Sequence, residues 1–89
     1  MESKYLTFEE QYITGHKLPI YTVKNKQSSI VLGTIKFYGA WRKFVFEPGE
    51  AVIFDASCLN DIVFFLNDKT IDWRNSLNTS SKEGELELI

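Results

Sequence analysis

The sequence predicts an α+β domain: an antiparallel sheet of four to five strands with one helix packed across one face. Three observations predict it. Residues 30–46, Ile-Val-Leu-Gly-Thr-Ile-Lys-Phe-Tyr-Gly-Ala-Trp-Arg-Lys-Phe-Val-Phe, hold two runs of β-branched and aromatic residues around a short glycine-containing break, which reads as a hairpin. From Cys58 the apolar period lengthens from two to about 3.6, the period of a helix face. The strand signals all precede the helix signal, an order that suits α+β rather than alternating α/β architecture.

Taken in order, residues 4–9 alternate loosely, with Leu6 and Phe8 on one side, and predict a first strand. Residues 14–19 are a loop ending in Pro19, which cannot donate to a ladder, so the second strand spans 20–25. In the central hairpin, Gly33, Ile35 and Phe37 share one face with Val31, and Arg42, Phe44 and Phe46 share a face across the turn. Glu47-Pro48-Gly49-Glu50 suits a type II turn, and Ala51–Phe54 a short apolar strand. Asp55 or Ser57 caps a helix over 58–69, whose stripe of Leu59, Ile62, Val63 and Leu66 faces the sheet. Ile71, Trp73 and Leu77 could dock the segment beyond it. Residues 75–84 are polar and loop-like, and the final Glu-Leu-Glu-Leu-Ile could add a strand. The chain thus divides into a domain over 1–74 and a polar, acidic tail over 75–89.

Eighty-nine residues make one domain, and the 44% hydrophobic content supports a folded core rather than disorder. No apolar run is long enough to span a membrane, and the N-terminus has no signal-peptide pattern. Cys58 is the single cysteine, in keeping with a cytoplasmic setting. The net charge of −2 hides a segregation: residues 11–46 carry six bases and no acid, whereas residues 47–89 carry nine acids and three bases. Either the two halves balance one another within the fold, or a basic surface awaits an anion.

No catalytic constellation emerges, so the expectation is a protein that is not an enzyme and needs no cofactor. His16 is the lone histidine, no Cys/His cluster suggests a metal, and no phosphate loop is present. Cys58 at a helix start could have a lowered pKa, but a capping or packing role suits it better. Asp55 and Asp61 fit capping and first-turn electrostatics. Lys36, Tyr38, Trp41, Arg42 and Lys43, at and beside the hairpin turn, read either as the amphipathic rim of a packed hairpin, since strand aromatics are usually packing residues, or as an exposed platform, the candidate binding surface. Tyrosine and tryptophan offer large contact area at low entropic cost, and arginine adds bidentate anion recognition.

Leu32-Gly33, Ile35, Phe37-Tyr38, Trp41-Arg42, Phe44, Phe46 and Pro48, followed by Cys58-Leu59, Asp61-Ile62 and Phe65, resemble a pattern in small uncharacterised proteins of bacteriophages and bacterial mobile elements. The resemblance covers residues 20–67 and departs at Phe37, where tryptophan is more usual. It implies a phage or mobile-element context, in which small proteins often bind and neutralise host factors, antiviral defence components among them. With the basic and aromatic residues above, the expectation is a binding module acting inside the host bacterial cell on a host protein or on a small anionic ligand. A homodimer is compatible with it and a membrane is not expected. The alternative is a single-stranded nucleic-acid binder, whose physics is aromatic stacking beside basic strand residues; the pI near 5.3 weighs against it.

Overall fold

The computed structural model describes residues 3–85. Among the described residues four strands, β1 (Leu6–Gln11), β2 (Ile20–Asn25), β3 (Val31–Tyr38) and β4 (Lys43–Pro48), precede one helix, α1 (Ala56–Glu85). The sheet is an antiparallel meander in the order β1-β2-β3-β4. The α+β expectation therefore holds, with four strands.

Alternation decides which face is buried. Tyr21 lies opposite Ile35 and Val23 opposite Gly33, while Ile35 faces Phe46 and Phe37 faces Phe44. These residues point toward α1, and Leu6, Tyr21, Val23, Ile35, Phe44, Ile62 and Phe65 form the core. The opposite face carries Thr22, Lys24, Thr34, Lys36 and Val45, stitched by Lys24–Glu9 and Lys36–Glu47 ion pairs, each at 3.0 Å.

Gly33 is required by packing. A Cβ there would stand 2.4 Å from the Glu47 carbonyl oxygen and 2.6 Å from the Phe46 ring, so the ring occupies the space a side chain would fill. Gly33→Ala is expected to cost about 1–3 kcal/mol, as overpacking does, read as a lowered denaturant midpoint. An unchanged midpoint would mean that β4 yields freely.

The β2–β3 turn is closed by Asn25, whose side-chain oxygen accepts from the Gln27 and Ser28 amides at 2.9 and 3.0 Å. Ser3 is buried and ties the chain start to the helix. Its hydroxyl donates to Asp61 Oδ2 at 2.6 Å and accepts from the Leu6 amide at 3.1 Å. Asp61 thus anchors the chain start.

Several boundaries differ from expectation. β1 begins two residues later, at Leu6. Residues 51–54 form no strand: Ile53 is 94% exposed, while Phe54 folds back edge-on to Phe46 at 5.6 Å. The type II turn is also absent. The Gly49 amide continues toward β3, donating to the Leu32 carbonyl at 2.8 Å, and the left-handed residue is Ala51, φ 56°. Asp55 is the helix cap: its carboxylate accepts from the Cys58 amide at 2.8 Å, a bond that lowers its pKa. Residues 75–84, expected as a loop, continue the helix. The last four residues, with most of the predicted terminal strand, lie outside the described residues.

The helix is also rotated about its axis relative to the predicted stripe. Ile62 and Phe65 are buried, Cys58, Leu66 and Trp73 pack against the core, and Leu59 and Val63 are exposed. Thr70 completes the docking. Its hydroxyl, buried, accepts from the Phe44 amide at 3.0 Å and so satisfies an outward-facing donor of the edge strand β4.

Candidate functional site

The β3–β4 connection is a four-residue loop, Gly39 to Arg42, between Tyr38 and Lys43. The Trp41 and Arg42 amides both donate to the Tyr38 carbonyl, at 3.1 and 2.9 Å, which fixes the loop. Arg42 takes up the left-handed conformation, φ 54°, that closes it. For a residue with a Cβ this costs about 1–2 kcal/mol. Arg42 offsets part of that cost by laying its guanidinium over the Trp73 ring of α1, 5.3 Å from the centroid. Trp73 in turn contacts Phe37 at 4.6 Å, so the loop is braced from the core outward.

Of the five predicted residues, the structure brings Tyr38 and Trp41 together. Their rings meet edge to face at 4.8 Å, and both are exposed, by 42% and 63% respectively. Lys43 stands directly opposite Tyr38 in the ladder. Lys36 lies two residues back on β3, its ammonium held by Glu47. Arg42 leaves the group and joins the helix side. The tip therefore presents an aromatic pair beside Lys43, with Arg42 and Lys36 at its flanks.

Depressions lie on either side of this end of the sheet. One of about 370 Å³ lies beside β3 and is lined by His16, Lys17, Leu18, Pro19, Ile20, Lys36 and Phe37. Another, about 440 Å³, runs between β4 and α1, with Lys43 and Arg74 at its rim. A further one surrounds Tyr21, whose hydroxyl donates to Glu10 at 3.2 Å. Burial and then the Glu10 charge push that phenol well above its ordinary pKa. The sequence reading missed Lys17, His16, Arg74 and the bracing role of Trp73. The acid-free stretch over 11–46 was the signal that could have drawn attention to Lys17.

Cys58 does not have the lowered pKa a helix N-terminus can confer. Burial, together with the neighbouring Asp55 carboxylate, pushes the thiol up. His16 lies in the cleft beside β3, apart from that cap. Among the described residues no group of three His, Cys, Asp or Glu side chains is placed to hold a metal, and no helix is long and apolar enough to cross a membrane.

No family model matches the chain, and no solved structure matches it. Over 65 residues it is 34% identical to an uncharacterised 9.3 kDa protein of Acholeplasma phage L2, an alignment that takes in 73% of this chain and 83% of that protein. At that identity and coverage, this chain belongs to the same family of small phage proteins.

Proposed function

We propose that this is a small non-enzymatic binding protein of phage or mobile-element origin, acting inside the host cell. It binds and thereby inhibits a host protein, with antiviral defence components as the candidate class, and the tip of the β3–β4 hairpin is its docking surface. The observation that carries this reading is the Tyr38–Trp41 pair, exposed yet held in place by the loop's hydrogen bonds and by the Arg42–Trp73 brace. A large aromatic surface fixed in advance loses little entropy on binding, the property of an interface anchor. Sequestration of a small anionic ligand by the neighbouring cations would use the same region.

The second reading, a single-stranded nucleic-acid binder, draws on the same exposed rings beside Lys43. Salt and competition separate the two. The immobilised protein is expected to capture a host protein in a manner insensitive to added oligonucleotide. Trp41→Ala is expected to weaken that capture by about 2 kcal/mol, roughly thirtyfold, while leaving the melting temperature nearly unchanged because the ring is outside the core. Displacement by oligonucleotides, with a steep salt dependence, would favour the second reading. Unaltered capture by Trp41→Ala would remove the tip from the interface.

A further inference from the structure

The β2–β3 ladder stops before β3 does. Its final pair at this end is Tyr21–Ile35, whereas β3 continues to Tyr38 with β4 alone beside it. Extending the register places Pro19 opposite Phe37, and proline has no N–H to offer. The direction of the Phe37 backbone follows from its neighbours. The Leu32 carbonyl accepts from Gly49 and the Tyr38 carbonyl from Arg42, so the even-numbered residues of β3 turn toward β4. The Phe44 amide, opposite Phe37, turns away from β3 to Thr70. Alternation in an antiparallel pair then directs the Phe37 N–H and C=O to the side that β2 has vacated. No backbone partner meets them there among the described residues.

The 370 Å³ cleft draws its lining from both sides of that gap, residues 16–20 on one and Lys36 and Phe37 on the other. Its apolar lining is Leu18, Pro19, Ile20 and Phe37, and its ionisable groups are His16, Lys17 and Lys36, with no acid among the lining residues. Lys17 has no ion-pair partner among the described residues, and Lys36 shares its charge with Glu47.

We infer that this open edge of β3 is a docking site for an extended, acidic segment of a partner protein, which adds as a short strand beside Phe37. An inorganic anion could answer the N–H and the lysines but not the Phe37 carbonyl. A peptide answers both, with its acid toward Lys17 and its alternate apolar residue on Leu18 and Ile20. The strand would lead directly to Tyr38 and Trp41, so one partner can span edge and tip. The inference rests on the reading of the chain as a binding module and names the chemistry of its partner.

The test is a titration of the full-length, isotope-labelled protein with a blocked peptide of alternating glutamate and leucine, followed by amide resonances and amide exchange. The Phe37 amide is expected to shift and to exchange more slowly on binding. Lys17→Glu is expected to weaken binding about fivefold or more, the upper range for one exposed ion pair; Lys17 is an exposed loop residue, so the fold should persist. The same peptide N-methylated at alternate residues is expected not to bind. Equal binding of the methylated peptide, indifference to Lys17→Glu, or a Phe37 response to inorganic phosphate that the peptide cannot displace would each overturn the inference. The titration needs no host protein, so its failure leaves the Trp41 test standing.

Discussion

Phe65→Ala is expected to remove about 3–5 kcal/mol of stability, the usual cost of truncating a buried phenylalanine. The ring stacks on Phe8 of β1 at 4.1 Å with planes 7° apart, and meets Tyr21 of β2 edge-on at 4.9 Å. The Lys69 ammonium lies 5.4 Å from its centroid, covering the cluster from the helix side. Truncation leaves a cavity that three different elements would have to close together. For a domain of this size the loss is a large part of total stability. Denaturant unfolding followed by tryptophan fluorescence would read it. A variant that melts with the wild type would mean that α1 is held by other contacts.

Ile62→Ala and Val63→Ala test the rotation of the helix as a pair. Ile62 is 3% exposed and Val63 52%. The first truncation is expected to cost about 2–5 kcal/mol, the second to stay within about 0.5 kcal/mol of wild type, as surface substitutions do. Equal costs would show the stripe centred between them, as the sequence pattern alone suggests.

That pair also explains what the sequence could and could not disclose. Leu59, Ile62, Val63 and Leu66 satisfy the helical period, but Ile62, Phe65, Thr70 and Trp73 satisfy a neighbouring face nearly as well. Two polar contacts accompany the face that is buried. Thr70 meets the Phe44 amide and Asp61 meets Ser3, contacts that no hydropathy pattern registers. β2 was legible to the residue because Pro19 and Asn25 punctuate it. Ala51–Phe54 misled because a short apolar run has no period to distinguish a strand from a loop that tucks one ring inward. Residues 75–84 misled through their Ser, Thr and Asn content, which weakens helix propensity without forbidding a helix already nucleated by packing upstream. At the candidate site, the place of Tyr38 and Trp41 beside a turn left core and exposed positions both open, and only the expectation that some aromatic surface stays available was legible. The departure of Arg42 toward Trp73 was not, since it depends on the left-handed closure of the loop.

Because each strand pairs with its sequence neighbour, the sheet can close hairpin by hairpin as residues 6–48 leave the ribosome, each closure spanning only a short loop. The Ser3–Asp61 hydrogen bond, across 58 residues, must wait until the first turns of α1 are out. In that interval Val23, Ile35 and Phe44 face water on an uncovered apolar surface, the kind that draws nascent chains into aggregates. The element made after the sheet is thus the lid, and any delay once Phe54 has emerged would prolong the period in which the half-made chain is adhesive.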